Sequence, residues 1–277
     1  MRTRALAAAF AATLLLTACS SGSDEPAAAP TTNTAPQEIP INLGDDTIEV
    51  LGVFTISDGD TIDGADDDQQ LVFDRFAEVI PAEYRPEVTH FVSISQEDSD
   101  GTDGAMQHPV DENEDQIYDD YYIALDTTGS AAGATLDRTM VHEFAHLLTL
   151  RNGQITPLSP EAEQSDEPVE CAVYATPECP TDDSYLSAYF SEFEYADDAE
   201  YDPEVYATEY AATIPTEDVA EVFAEWVLND GDVRTVTDED VRRDVVAGSV
   251  LDEKFDFFES YPELVEVRDA IRAGLAA

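Results

Sequence analysis

Two histidines four residues apart inside an apolar stretch are the feature that most constrains the fold of this chain. The stretch VHEFAHLLTL, residues 141–150, places His142 and His146 on either side of an EFA tripeptide that begins with Glu143. Apolar residues fill most of its other positions at helical spacing. We therefore predict a buried helix over residues 135–150.

On a helix, residues i and i+4 lie on the same face, so His142 and His146 direct their imidazoles towards one point. A tetrahedral zinc site needs this from two of its ligands. Glu143 is turned about 100° from His142, where it can accept a proton from a metal-activated water. The alternative is a pair of core histidines bound to carbonyls. With only four histidines in the chain, a chance match is rare.

A catalytic zinc site needs a third protein ligand and leaves the fourth position for water. One class of zinc peptidases adds a histidine six residues after the second and a glycine three residues after it. Asn152 and Thr149 occupy those positions here, which excludes that class. A glutamate from a later helix remains, and the predicted helix over 215–230 offers three along one stripe: Glu217, Glu221 and Glu225.

HEFAH and the later YAATIPTEDVAE together resemble the gluzincin metallopeptidases, most of all the group of anthrax lethal factor and the secreted Pro-Pro endopeptidases. The similarity covers about 20 residues in two blocks. It implies a zincin-like fold, a Zn²⁺ cofactor and Glu217 as the third ligand. It also implies that Glu221 supports a ligand histidine and that Tyr210 donates a hydrogen bond to the oxyanion. Glu221 on a solvated helix face and Tyr210 as a packing residue are the alternatives.

The N-terminus has the organisation of an export signal. Arg2 and Arg4 precede an apolar run over residues 5–18, which is too short for a comfortable membrane span. Leu16-Thr17-Ala18-Cys19 resembles a bacterial lipobox, which predicts a signal peptide over 1–18 and acylation of Cys19. Residues 19–44 then form a flexible tether rich in Ser, Ala, Pro and Thr. An ordinary secretory signal with a chance cysteine is the alternative.

The two remaining cysteines, Cys171 and Cys179, form an even pair in an exported chain, which favours a disulfide closing a short loop. Zinc ligation is the alternative, and the absence of a nearby histidine in the sequence disfavours it.

Alternation and spacing predict an α+β domain over 45–277, with a small mixed N-terminal sheet, the active-site helix and a mostly helical C-terminal half. The expected strands are 48–57, 88–95 and 119–128. The expected helices are 68–80, 135–150, 184–195, 215–230, 237–248 and 260–274. Residues 152–183 form a surface excursion. Residues 96–115 form an acidic loop whose DSDGTDG lacks the EF-hand register, and calcium binding there stays open.

The net charge of −50 excludes nucleic acid as a partner and limits membrane contact to the N-terminal lipid. We expect a monomeric zinc endopeptidase, tethered outside a bacterial cell, that binds a peptide or protein substrate along an edge strand within 119–128. A non-catalytic zinc-binding lipoprotein, or an adhesin on a peptidase scaffold, is the alternative. Glu143 favours catalysis. Of the other histidines, His90 is expected to pack in a strand or lie at the surface, and His108 to be exposed.

Overall fold

The computed structural model describes ten segments of the chain: residues 48–58, 60–95, 104–110, 116–128, 134–156, 171, 179–193, 199–229, 234–238 and 241–277. All of them belong to one unit, Pro36–Ala277. The predicted signal peptide, Cys19 and the tether lie outside the described residues. So do residues 96–103 and 111–115 of the acidic loop, and with them the DSDGTDG motif.

The N-terminal half contains a small mixed sheet, as predicted, with five strands where three were expected. Its strands are β1 (Glu49–Ser57), β2 (Thr61–Ile62), β3 (Val88–Ser95), β4 (Gly104–Gln107) and β5 (Tyr121–Asp126). Their order across the sheet is β2-β1-β3-β5-β4. β3 and β5 are parallel, whereas β1 pairs antiparallel with β3 and β4 pairs antiparallel with β5.

β5 lies inside the sheet, between β3 and β4, and all six of its residues are buried. The expectation that the 119–128 segment is an edge strand is therefore wrong. The edge on that side is β4, four residues within the stretch predicted to be an acidic loop. An edge of this length carries too little alternation to be recognised from sequence.

The described residues contain six α-helices: α1 (Asp67–Val79), α2 (Ala134–Leu150), α3 (Tyr185–Glu192), α4 (Pro215–Leu228), α5 (Val250–Glu259) and α6 (Pro262–Leu275). All of them except α5 correspond to predicted helices. Local signals set their starts. Asp66 closes a capping box on α1, Ser184 and Ser249 cap α3 and α5, and proline begins α4 and α6. None of the described helices is long and apolar enough to cross a membrane.

The region predicted as a helix over 237–248 is mainly a hairpin. After the short pair β6 (Ile155–Thr156) and β7 (Cys179–Pro180), strands β8 (Thr235–Asp238) and β9 (Val241–Asp244) pair antiparallel. Thr235, Val236 and Thr237 are β-branched and favour a strand, a local preference that outweighs the apolar spacing used to predict a helix. The helix that follows, α5, begins only after the cap at Ser249.

Cys171 and Cys179 form a disulfide, which confirms the predicted pair. Cys179 also opens β7, so the bridge closes at one end of the two-residue β6–β7 ladder. The rest of the predicted surface excursion lies outside the described residues, apart from the two ends that this ladder joins.

His108 is not exposed as predicted. It is half-buried, its ring packs against Tyr118 and Tyr121, and its Nδ1 lies 3.0 Å from the carbonyl oxygen of Asp120. His90 packs half-buried in β3, in line with the prediction.

α2 is buried because elements cover it on two sides. It packs against α4 on one side and against β4 and β5 on the other. Met140, Val141, Phe144 and Leu147 on this helix are fully buried, and Phe144 meets Phe223 of α4 at a ring distance of 6.3 Å. Asp137 of α2 pairs with Arg75 of α1, whereas Arg138, His142 and His146 meet carboxylates of α4 in the candidate site.

Candidate metal centre

His142 and His146 converge from one face of α2, as their spacing predicts. Their Nε2 atoms are 3.1 Å apart, and both side chains are buried. The rings are nearly perpendicular, with centroids 4.9 Å apart, so each Nε2 points past the other ring towards α4. The helix thus presents two imidazole nitrogens to one point between α2 and α4.

Glu217 supplies the third donor from the first turn of α4. Its Oε2 lies 3.0 Å from His142 Nε2 and 3.3 Å from His146 Nε2. With the 3.1 Å between the two nitrogens, the three atoms form a nearly equilateral triangle. Ligands about 2.0–2.1 Å from a tetrahedral zinc stand about 3.3–3.4 Å from one another. The triangle is close to the size that a metal ion with ligands at this distance requires, and no other group of three such ligands occurs among the described residues.

The chemistry of the three atoms also fits a cation. Nδ1 of His142 lies 2.8 Å from Glu221 Oε1, a short but poorly aligned contact in which the carboxylate charge favours a proton on Nδ1 and a lone pair on Nε2. Glu217 Oε2 is buried and has no well-aligned hydrogen-bond donor in the described part of the chain. Three acceptors that meet out of contact with water need a proton or a metal ion between them. The residues therefore fit a divalent metal such as zinc.

In the metal-free site, a positive charge on His142 is paired with negative charges on the neighbouring glutamates. Burial lowers the pKa of His142, but the carboxylates of Glu217 and Glu221 beside it outweigh burial and raise that pKa to about 10. Burial acts to raise the pKa of Glu217, and the two histidines overcome it and hold that pKa well below its usual range. A proton on His142 is thus what a metal ion would displace.

Glu143 stands beside the triangle without joining it, as predicted. Its carboxylate is buried and accepts a hydrogen bond from the backbone amide of Met106 in β4. Burial raises the pKa of Glu143, while the two histidines and the Met106 amide oppose that shift. A raised pKa brings the carboxylate nearer to the neutral range in which a general base is effective.

Gly104 explains how β4 comes close enough to Glu143. A Cβ at position 104 would lie 2.7 Å from Thr139 Cγ2 and 3.2 Å from Glu143 Cγ. Only a residue without a side chain allows this approach of strand to helix. The edge strand, and with it the Met106 amide, therefore packs directly against the face of α2 that carries Glu143.

Tyr210 lies on the open side of the site, in a 3₁₀ turn over Tyr210–Ala212. Its ring is 6.1 Å from that of His142, and 55% of the residue is exposed. Burial of the hydroxyl, followed by the charges of Glu217 and Glu143, raises the pKa of Tyr210. The phenol stays protonated at neutral pH and is available as a hydrogen-bond donor.

The polar residues of the two helices face each other in antiparallel rows. The row on α2 is Arg138, His142 and His146, and the row on α4, running the opposite way, is Glu225, Glu221 and Glu217. Each member is four residues from the next, so every side chain of one row meets its counterpart at the same height. The metal triangle is the end of this ladder that holds His146 and Glu217.

Arg138 was not identified from sequence. It donates from Nη1 and Nη2 to the two oxygens of Glu221, at 3.1 and 2.5 Å, and from Nε to Glu225 Oε1 at 3.1 Å. A paired guanidinium fork of this kind fixes the carboxylate that in turn holds His142. The signal was present, since Arg138 stands four residues before His142 on the same helix face.

Thr208 was also missed. Its hydroxyl donates to Glu221 Oε2 at 2.7 Å, so Glu221 binds His142 and Arg138 through one oxygen and Arg138 and Thr208 through the other. No local pattern marks this threonine, because its partner is 13 residues away on α4. Comparison with protein-family models, curated proteins and solved structures gives no match, so the gluzincin resemblance rests on the sequence motifs alone.

Proposed function

We propose that this protein is a zinc-dependent endopeptidase, held by a lipid on Cys19 at the outer face of a bacterial membrane. The observation that carries the proposal is the pairing of the buried triangle His142, His146 and Glu217 with a separate buried carboxylate, Glu143. A site that only captures metal has no use for that carboxylate. The mixed sheet, the α2 helix and the ligand from α4 agree with a zincin-like fold.

The three ligands would hold zinc, which supplies a Lewis acid that polarises a carbonyl and lowers the pKa of a bound water. Glu143 accepts the proton of the attacking water and returns it to the leaving amine. Tyr210, protonated at neutral pH, donates a hydrogen bond to the oxygen on which negative charge develops. Glu221 keeps His142 in the tautomer that presents Nε2.

The edge strand β4 is the candidate binding surface for the peptide. Among the described strands it has a partner on one side only, and it runs against α2 beside Glu143. An extended peptide paired with the free side of β4 would place its backbone along the site. Main-chain pairing of this kind binds peptides through groups that every sequence shares, so side-chain preference comes from the neighbouring surface.

The charge of the protein narrows the substrate to peptides without strong negative charge. Two of the twelve basic residues, Arg2 and Arg4, lie in the signal segment. Each of the other ten contacts a carboxylate, carbonyl or hydroxyl within the described structure. Several of these partners are neutral, so it is the net charge of −50 that disfavours an acidic substrate and attracts a basic one.

The test is a cleavage profile on a peptide mixture, with and without chelator, for the parent and for Glu143→Gln. The variant keeps the size of the side chain and removes the base, so zinc should stay bound while cleavage falls by about 10²–10⁴. Glu253→Gln makes the same change at an exposed position on α5 and should leave cleavage unchanged. A Glu143→Gln variant that cleaves as fast as the parent would refute Glu143 as the base, and a zinc-loaded parent that cleaves no peptide would leave a metal-binding lipoprotein or adhesin as the function.

A further inference from the structure

We propose that Thr208 is a positioning residue that couples the Tyr210 turn to the metal ligand His142, so that metal binding orders the turn. The inference rests on the proposed function, since it assigns the turn a role beside a metal. The connection runs from His142 Nδ1 to Glu221 and from Glu221 to the Thr208 hydroxyl, over distances of 2.8 and 2.7 Å.

The Thr208 hydroxyl faces both partners at once. It donates to Glu221 Oε2 and accepts a hydrogen bond from the backbone amide of Ala211 at 3.0 Å. That amide belongs to the 3₁₀ turn that carries Tyr210. Thr208 is only 5% exposed, so water does not readily replace either partner. One hydroxyl therefore joins the carboxylate behind the metal ligand to the backbone that sets the direction of Tyr210.

The chain before Thr208 is anchored elsewhere. Arg243 of β9 donates to the carbonyls of Pro203, Tyr206 and Ala207, and Lys254 of α5 donates to that of Val205. These contacts hold residues 203–207 against the C-terminal half of the protein and involve no metal ligand. Thr208 follows immediately, at the point where the anchored segment passes to the turn. The position of the turn relative to His142 then depends on the bond from Thr208 to Glu221, together with the hydrogen bond from the Ala199 amide to the Ala212 carbonyl and the packing of the turn on α4.

A metal ion changes the demands on Glu221. If His142 held a metal through Nε2, its imidazole would keep its proton on Nδ1, which would strengthen the contact to Glu221 Oε1 and fix that carboxylate. A fixed carboxylate offers Thr208 a fixed acceptor. By linkage, the free energy by which metal binding stabilises the ordered turn equals the free energy by which the ordered turn stabilises metal binding.

The test compares Thr208→Val, Thr208→Ser and Thr213→Val by zinc affinity and by amide hydrogen exchange over residues 208–214. Valine keeps the shape of threonine and removes the hydroxyl, whereas serine keeps the hydroxyl. Thr213 is the matched control, because its hydroxyl bonds to the carbonyl of Tyr210 in the same turn, at 2.7 Å, and Glu221 is not its partner there. Zinc affinity is measured by competition with a chromophoric chelator, and exchange is measured with zinc and with chelator.

In the parent and in Thr208→Ser, zinc should slow exchange over 208–214. In Thr208→Val that slowing should disappear, and zinc affinity should fall by about tenfold, the lower end of the effect of removing a partner behind a metal ligand. Thr213→Val should keep the parent affinity and the zinc-dependent slowing. The coupling is refuted if Thr208→Val behaves like Thr208→Ser in both measurements, or if zinc leaves exchange in the parent unchanged.

The two proposals fail in different ways. Tight zinc binding with the expected exchange pattern, but no peptide cleavage, would support the coupling and contradict the peptidase function. Cleavage that depends on zinc, with Thr208→Val indistinguishable from Thr208→Ser, would do the reverse. A parent protein that binds no zinc would contradict both.

Discussion

If the proposed function is correct, Gly104→Ala should lower the rate of peptide cleavage without lowering zinc affinity. The added methyl would lie 2.7 Å from Thr139 Cγ2, where carbon atoms in contact are normally about 3.5–4.0 Å apart. Ala124 O and Glu143 Cγ, each at 3.2 Å, leave it little room to turn aside. β4 must therefore move away from α2 by about 1 Å.

A displacement of this size moves the Met106 amide away from Glu143 and shifts the edge on which the peptide is proposed to lie. Misplacement by about 1 Å can cost about 10²-fold in rate, so we expect kcat/KM to fall by about 10–10². Overpacking should also lower the free energy of unfolding by about 1–3 kcal/mol. Zinc affinity should stay at the parent value, because β4 contributes none of the three candidate ligands.

The double variant Gly104→Ala, Thr139→Ser is the control. Serine removes the Cγ2 that makes the closest contact and keeps the hydroxyl that bonds to the Thr135 carbonyl. Part of the lost kcat/KM and part of the lost stability should return. The assays are peptide cleavage, zinc competition and urea unfolding. Full activity in Gly104→Ala, or loss of zinc in step with loss of activity, would refute this account of the edge strand.

Three further outcomes are expected. The pKa of His142 in the metal-free site is raised to about 10, so zinc must displace a proton from this side chain below that pH. Apparent zinc affinity should therefore rise about tenfold per pH unit between pH 7 and 9, and an affinity independent of pH would contradict this. Lys254→Met removes the ammonium 2.6 Å from the buried Asp218 carboxylate and should lower the free energy of unfolding by about 3–5 kcal/mol. The double variant Lys254→Met, Asp218→Asn should recover much of this loss, and an equal loss in both variants would mean that the unpaired charge is not its cause. The net charge of −50 should destabilise the folded chain by repulsion between surface carboxylates. Raising NaCl from about 0.01 to 1 M shortens the Debye length from about 30 to 3 Å and should therefore raise the midpoint of urea unfolding. An unchanged midpoint would show that this repulsion is negligible.

The parts of the fold that were predictable are those in which a local pattern and the tertiary environment agree. α2 and α4 have apolar residues at helical spacing and are buried between other elements, so both appear where the sequence places them. The antiparallel pair β8–β9 was not predicted, because the apolar spacing of this region favours a helix whereas its β-branched run Thr235–Thr237 forms a strand. β4 was missed because it is four residues long and exists as a strand through its pairing with β5.

The residues of the candidate site also fall into those that a local sequence pattern predicts and those that only tertiary packing brings into the site. His142, Glu143 and His146 follow from one turn of one helix, whereas Glu217 was assigned by the motif resemblance and is brought to them by the packing of α4 on α2. Thr208 could not be predicted, because its role depends on a contact made only in the folded chain. The same packing explains Glu225, whose partner is Arg138.

The central claim is that His142, His146 and Glu217 bind one zinc ion, and zinc content tests it most directly. The purified chain is equilibrated with zinc, freed of excess metal and analysed for zinc per chain, beside Glu217→Ala and Glu209→Ala. Glu209 is an exposed glutamate next to Tyr210 and serves as the control. We expect about one zinc per chain in the parent and in Glu209→Ala, and a marked loss in Glu217→Ala. Equal zinc in Glu217→Ala and the parent, or no zinc in the parent, would contradict the assignment.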